Sequence, residues 1–218
     1  MAYKQDNSLM SQEYSVLGTR PIRHDGVDKV TGRAQYGADI SMPRMLYGKI
    51  LRSPFAHARI KSIDTGMAEK HPGIMAVVTS RDFPDNVTDQ SLKFLRDNIM
   101  ASDKVLYKGH PVAGVVAANP HVAEEALSLI NVEYELLEPV LTAPEAMKDE
   151  APLLHSDLPQ RALGKYAREA SNIAAHFQHI LGDIEDGFSK SDLVIEREFR
   201  TKTVHQGYIE PHNATAFW

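Results

Sequence analysis

The stretch of residues 112–136 constrains the fold more tightly than any other part of the sequence, because it combines a strand, a helix and a second strand in direct succession. Residues 112–118 form an apolar run that favours a strand. Asn119 and Pro120 predict a helix start, since asparagine caps free N–H groups and proline loses no hydrogen bond at the first helical position. Residues 130–136 then alternate between apolar and polar, as a half-buried strand does. The sequence therefore predicts an α+β fold.

Three segments nearer the N terminus also have the residue pattern of strands. They are residues 46–54, 57–65 and 73–83. A turn around Pro54 separates the first two strands. The third begins as a continuous apolar run, which is typical of a central strand covered on both faces. Residues 20–39 develop no helical period, so loops and a short strand are expected there.

The remaining elements are expected to be shorter. Short helices are predicted at residues 65–70 and 91–100, with one further turn after Pro144. Residues 183–190 predict an amphipathic helix. Two strand-like segments then follow, at residues 193–202 and 204–218.

Composition excludes several classes of function. The chain has 24 Lys and Arg against 29 Asp and Glu, a net charge of −5, and no basic block, so nucleic acid is not an expected partner. With no cysteine, the chain by itself holds neither a disulfide nor a thiolate nucleophile nor a Cys-ligated iron–sulfur cluster. Its apolar runs fall short of the roughly 18 residues that a membrane span needs. The first fifteen residues lack the apolar core of a secretory signal, so a cytoplasmic location is expected.

The pattern along the chain predicts four parts. They are a flexible arm at residues 1–19, a domain at 20–150, a connector at 151–180 and the start of a second domain at 181–218. The last part ends on apolar Phe217 and Trp218. Its strands lack neighbours, so we expect polypeptide absent from this sequence to complete the sheet.

Two patterns that suggest chemistry have weak support. His176 and His179 have the i, i+3 spacing of metal ligands on a helix, but no third ligand accompanies them, and a solvated helix edge is the favoured interpretation. His110 follows Lys108 and Gly109 and precedes an apolar strand, which favours a turn over a catalytic histidine. The glycines of residues 32–37 match neither a dinucleotide nor a phosphate-binding loop, and turns are expected there.

The best local candidate for a polar cavity is the segment VHQGYIEPH, residues 204–212. On an extended strand, Gln206, Glu210 and His212 would project from one side, with His205 beside them. A carboxylate in a buried strand needs a partner or a functional reason. The alternative is a hydrogen-bonded network with a structural role only.

Five blocks in this sequence together resemble the xanthine dehydrogenase and aldehyde oxidase family of molybdenum hydroxylases. The blocks are residues 23–40, 46–65, 73–83, 105–140 and 182–218, which include RHDGVDKVTGRAQYGADI and the VHQGYIEPHN text. Their order and spacing are similar to the N-terminal part of the family's large, molybdopterin-binding subunit. The resemblance implies an α/β hammerhead domain at 20–150, followed by the opening strands of a molybdenum-cofactor-binding domain from 181.

The resemblance also implies a division of labour between chains. The molybdenum–molybdopterin cofactor would be held mainly by a partner chain or by missing sequence, with iron–sulfur clusters and possibly FAD in other subunits. The implied chemistry is hydroxylation of an aromatic, N-heterocyclic or aldehyde-type substrate with oxygen from water, or the reverse dehydroxylation. No residue here corresponds to the family's catalytic base or to a metal ligand. Gln206 and Glu210 are the residues expected to lie beside the cofactor pocket.

On this view the chain is a subunit or fragment of a molybdopterin-dependent oxidoreductase and is not expected to be active alone. It would be either a split subunit or a truncated product. The alternative is a non-catalytic module that keeps the hammerhead fold as an interaction scaffold.

Overall fold

The computed structural model describes residues 15–84, 88–156, 161–162, 165–166 and 170–218. These residues divide into two compact units. The smaller unit joins the described residues up to Met42 with Arg200–Trp218, and the larger unit comprises Pro43–Phe199. No helix in these described ranges has the length and apolar character that crossing a bilayer requires.

The regular elements are short and alternate along the larger unit. Its strands are β1 (Tyr47–Arg52), β2 (Ala58–Asp64), β3 (Ile74–Thr79), β4 (Lys104–Val105), β5 (Pro111–Ala117), β6 (Asn131–Leu136), β7 (Arg161–Ala162), β8 (Lys165–Tyr166) and β9 (Ala175–His176). The helices of the described chain are α1 (Gly26–Thr31), α2 (Gly66–Glu69), α3 (Gln90–Ile99), α4 (Pro120–Leu127), α5 (Ala143–Ala146) and α6 (Ile184–Ser189). This mixture confirms the α+β prediction.

The first sheet has the strand order β1-β5-β3, with antiparallel pairs throughout. The middle strand, β5, brings Val112, Ala113, Val115 and Ala117 into the core. The prediction that residues 73–83 form a central strand is wrong, because β3 lies at the edge of this sheet and leaves Met75 63% exposed. Small side chains explain why β5 takes the middle, since they let elements pack closely on its faces.

The second sheet has the order β4-β2-β6, again antiparallel. The two strands predicted at residues 46–54 and 57–65 are confirmed, but they belong to different sheets. Ser53 shows why. Its N–H donates to the carbonyl oxygen of His110 at 2.9 Å, and its own carbonyl accepts from Gly109 at 2.8 Å, which ties the end of β1 to the turn before β5.

Helix α4 begins as the sequence predicts. The Asn119 side chain accepts a hydrogen bond from the Val122 N–H at 2.9 Å, and Pro120 occupies the first helical position. Ala123 and Ala126 are fully buried on the inner face of this helix. Side chains from both sheets and from α4 contribute to one apolar cluster of the core, and a second cluster is formed by Ala58, Ala101, Val105 and Val112.

Helix α1 overturns the expectation of only loops and a short strand in residues 20–39. The helix buries no residue, so it has no apolar period for a sequence pattern to display. Polar contacts hold it instead: the Asp25 carboxylate pairs with Lys29 and Arg23, both at 2.5 Å. These cations hold the pKa of Asp25 well below its usual range. Gly32 ends the helix with φ of +73°, a conformation that glycine adopts freely.

The C-terminal part agrees with the sequence in its helix and differs in its strands. Helix α6 is confirmed, with the Asp183 carboxylate accepting from the Asp186 N–H at 3.0 Å. The strands predicted at 193–202 and 204–218 are wrong, since the described residues 193–218 contain no strand, and Phe199 is 86% exposed. A strand needs a neighbour for its backbone groups, and none of the described residues supplies one there.

Candidate functional site

The segment of residues 204–212 does not form the polar strand face that the sequence predicts. Gly207 has φ of +71°, which interrupts the extended backbone, so the alternation that would align Gln206, Glu210 and His212 does not apply. All nine residues are exposed. No side-chain hydrogen bond of Gln206 is found within the described part of the chain, so its amide is uncommitted there.

The structure instead brings three rings of this segment together. Tyr208 lies edge-on to His205 at a centroid distance of 5.4 Å and edge-on to His212 at 5.0 Å. His205 Nδ1 accepts a hydrogen bond from the Gly207 N–H at 2.9 Å. That acceptor role places the proton of the neutral ring on Nε2. These contacts give the exposed loop a defined shape.

Glu210 is held by a glycine distant in sequence. The Gly37 N–H donates to Glu210 Oε1 at 3.3 Å, inside the smaller unit. Gly37 opens a 3₁₀ turn, Gly37–Asp39, in which the Asp39 carboxylate accepts from the Tyr36 N–H at 2.9 Å. A Cβ at Gly37 would overlap the Asn213 carboxamide, whose Cγ would lie 2.9 Å away. Sequence reasoning assigned this glycine to a turn and missed its contact with Glu210.

His110 has the structural role that the sequence favours. Gly109 turns the chain with φ of +92°, and His110 behind it is 1% exposed. His110 Nε2 donates to the Asp97 carbonyl at 2.9 Å, and Nδ1 accepts from the Leu106 N–H at 3.2 Å. Its ring stacks on Tyr107 at 4.4 Å. Burial lowers the pKa of His110, so the neutral ring is the favoured form.

His176 and His179 do not share a helix face. His176 ends the short strand β9, and residues 177–182 are not helical. Among the residues that the structure describes, no group of three or more His, Cys, Asp or Glu side chains has the arrangement of a metal site.

The larger unit also contains a cleft that sequence reasoning missed, which we call the histidine cleft. Its volume is about 640 Å³. Its lining includes His57, Arg59, Asp103, Lys104, His110 and His155. These residues come from distant parts of the chain and share no motif, so only the folded chain brings them together.

Two family descriptions match the chain in succession. Residues 31–138 match the a/b hammerhead domain of aldehyde oxidase and xanthine dehydrogenase. Residues 166–218 match a molybdopterin cofactor-binding domain. The predicted fold class, a hammerhead domain followed by the opening of a cofactor-binding domain, is therefore confirmed.

Curated relatives are similar to this chain over about nine-tenths of its length or more. A probable xanthine dehydrogenase subunit of Bacillus subtilis is 38% identical over 89% of this chain and 24% of the relative. The nicotinate dehydrogenase large molybdopterin subunit of Eubacterium barkeri is 31% identical over 96% of this chain and 46% of the relative. The carbon monoxide dehydrogenase large chain of Afipia carboxidovorans is 36% identical over 89% of this chain and 24% of the relative.

Solved structures of molybdenum hydroxylases have a similar fold over most of this chain. Reconstituted CO dehydrogenase from Oligotropha carboxidovorans superposes with a TM-score of 0.62 at 34% identity, over 81% of this chain and 22% of that chain. Quinoline 2-oxidoreductase from Pseudomonas putida 86 gives a TM-score of 0.52 at 34% identity, over 62% of this chain and 18% of that chain.

The fold and the matched domains define the class, a hammerhead domain joined to the start of a molybdopterin-binding domain. The chain belongs to the xanthine dehydrogenase and aldehyde oxidase family of molybdenum hydroxylases and corresponds to the N-terminal part of their molybdopterin-binding subunit. It spans between about a quarter and about half of the length of the curated relatives described above.

The described residues do not by themselves form an enclosure for molybdopterin. The 204–212 segment is exposed, and Glu210 is occupied by Gly37. The uncommitted amide of Gln206 has the hydrogen-bonding groups that a pterin ring recognises, but it is a single group on an open surface. The residues present therefore do not amount to a cofactor site, and no reaction step is assigned to them.

Proposed function

We propose that this chain is a component of a multi-subunit molybdenum hydroxylase, to which it supplies the hammerhead domain and the opening segment of the cofactor-binding domain. The observation that carries the proposal is the succession of the two family domains along one chain, at residues 31–138 and 166–218. The remaining cofactor-binding sequence would come from a partner chain or from further sequence. Iron–sulfur clusters and possibly FAD would be held by other subunits.

The proposed reaction inserts oxygen from water into a carbon–hydrogen bond of an aromatic, N-heterocyclic or aldehyde-type substrate. In balanced form, the substrate and one water give the hydroxylated product, two protons and two electrons. The electrons leave through the redox groups of the other subunits. Some members of the class would run the reverse dehydroxylation. Nicotinate and quinoline in the relatives' names support the N-heterocyclic part of this range.

We propose different roles for the two residues expected beside the cofactor. Gln206 borders the cofactor, because its amide has no side-chain hydrogen bond among the described residues and remains available. Glu210 is a positioning residue that fixes the loop through the Gly37 N–H. Neither is assigned a catalytic role. Residues 20–150 and 181–218 are the proposed domain bounds, with an arm and a connector at 1–19 and 151–180.

Purification of the assembled complex tests this proposal. A tag on this chain should capture the polypeptide that carries the rest of the cofactor-binding domain, and the complex should contain about one molybdenum per copy of this chain by elemental analysis. A fully active complex without molybdenum would contradict it. A stable, metal-free complex with unrelated partners would support the scaffold alternative instead.

A further inference from the structure

The histidine cleft lies outside the 204–212 segment and has no part in the proposed molybdenum chemistry. Five parts of the larger unit line it: the start of β2, helix α3, residues 102–110, Leu137 and residues 153–156. Its volume of about 640 Å³ falls within the roughly 300–1,000 Å³ of small-molecule sites. Chain segments distant in sequence therefore converge on a space large enough for a metabolite.

The acidic side chains of the cleft are already occupied by other groups. Asp103 forms an ion pair with Arg59 at 3.3 Å. Asp97 forms an ion pair with Arg96 at 3.2 Å and accepts from the Ser102 hydroxyl at 3.1 Å. These carboxylates would therefore contribute little net negative charge to a ligand in the cleft.

Lys104 has no carboxylate partner within the described ranges of the chain, although its side chain is half-buried. Its charge acts on another residue of the cleft lining, His155. Burial lowers the pKa of His155, and the positive charge of Lys104 lowers that pKa further. The cleft wall thus carries a positive charge that nothing described in this chain neutralises.

His57 supplies a second, independent feature. The side chain is only 6% exposed, and its Nδ1 donates to the Glu138 carbonyl at 2.7 Å. Its Nε2 is buried without a hydrogen-bond partner among the residues that the structure describes. An unsatisfied buried polar atom is costly, and a ligand that seats against this wall after small side-chain shifts would give Nε2 a partner.

We propose that the histidine cleft binds a small hydroxylated anion. Its carboxylate or phosphate group pairs with Lys104, and its hydroxyl group donates a hydrogen bond to His57 Nε2. The oxyanion would neutralise the lysine charge, and the hydroxyl would supply the donor that Nε2 lacks, because Nδ1 of the same ring already donates to the Glu138 carbonyl. Phosphates and hydroxy acids share this chemistry, so the two sources are separate arms of the test.

The experiment follows the histidine ring signals of the 218-residue chain by NMR, in titrations with inorganic phosphate and with malate at constant ionic strength. We expect saturable shifts of the His57 and His155 signals with one or both anions. Phosphate alone would assign the site to phosphates, and malate alone to hydroxy acids. Shifts that stay linear in concentration for both anions would overturn the proposal.

Variants at Lys104 test the assigned contact. Lys104→Gln should weaken binding about tenfold, while Lys104→Arg keeps the charge and should bind within about twofold. Lys70→Gln is the matched control, because Lys70 is an exposed lysine outside the cleft lining. Equal affinity of all four proteins would also overturn the proposal. If Lys104→Gln loses its native signal dispersion, the wild-type and Lys104→Arg titrations decide the question.

Discussion

Gly37 and Glu210 show how single residues fix the candidate site. The backbone N–H of Gly37 reaches the Glu210 carboxylate only because the turn at Gly37–Asp39 brings the two chain segments together. The absent side chain of Gly37 leaves room for Asn213. Neither the hydrogen bond to Glu210 nor the space left for Asn213 produces a periodic sequence pattern, so both can be identified only from the structure.

Gly37→Ala should lower the free energy of unfolding by about 0.5–1 kcal/mol, because the added methyl group displaces the exposed Asn213 carboxamide, which can rotate away. Urea denaturation measures the change. Gly187→Ala is the matched control, since a Cβ at that helical position meets nothing within 4 Å and alanine favours a helix. Two variants of equal stability would contradict the described packing at Gly37.

His110 should make the stability of the chain depend on pH. Burial lowers its pKa below the ordinary 6.5, so the unfolded chain takes up the proton first as the pH falls. The contribution to stability is complete above about pH 6.5 and is lost as the pH falls towards the lower folded pKa. His155 acts in the same direction.

Urea denaturation at about pH 7.5 and about pH 5.5 measures this dependence. The wild-type chain should be less stable at the lower pH. His110→Gln should reduce that difference without abolishing it, because His155 remains. An unchanged difference in the variant would rule out His110 as a source.

Gln206 should affect cofactor loading without affecting folding. In the assembled complex, Gln206→Ala should lower the molybdenum content by more than half, since the amide is proposed to border the cofactor. Lys202→Ala, at an exposed residue just before the 204–212 segment, is the control. Full molybdenum content in Gln206→Ala would refute this role.

At the level of elements, the sequence predicts a helix or strand best where local signals, such as a capping residue, occur together with a pattern of buried side chains. The cap at Asn119, the proline after it and the buried alanines of α4 all agree, and that helix is confirmed. Helix α1 is stabilised by ion pairs and buries no residue, so its sequence shows no apolar residues at helical spacing. The sequence misplaces the central strand because β3 and β5 are both apolar, and only pairing distinguishes an edge strand from a middle one.

Removing the cap of α4 tests the element most clearly predicted. Asn119→Ala should cost about 1 kcal/mol of stability, because the Val122 N–H loses its acceptor. Asn119→Ser keeps an acceptor oxygen and should stay close to wild type. Thermal or urea denaturation of the three proteins measures the difference, and an alanine variant as stable as the serine variant would show that the cap contributes nothing.

At the level of the whole molecule, the two parts of the chain differ in how much of their side chains they bury. The larger unit encloses an apolar cluster between its sheets and α4. Residues 193–218 expose large apolar side chains, and Ile209 is 99% exposed. The alternation of apolar and polar residues predicts strands there. Such a pattern leads to a strand only when neighbouring strands are present to pair with the segment. Residues 166–218 match a molybdopterin cofactor-binding domain, and under the proposed function the missing neighbours would belong to the rest of that domain.

Amide hydrogen exchange over residues 193–218 tests most directly whether another polypeptide completes this part of the fold. The measurement compares the 218-residue chain alone with the complex that contains the rest of the cofactor-binding domain. We expect fast exchange of this segment in the isolated chain and strong protection in the complex, where its backbone would pair with the rest of the domain. Equally fast exchange in both, with molybdenum bound in the complex, would contradict it.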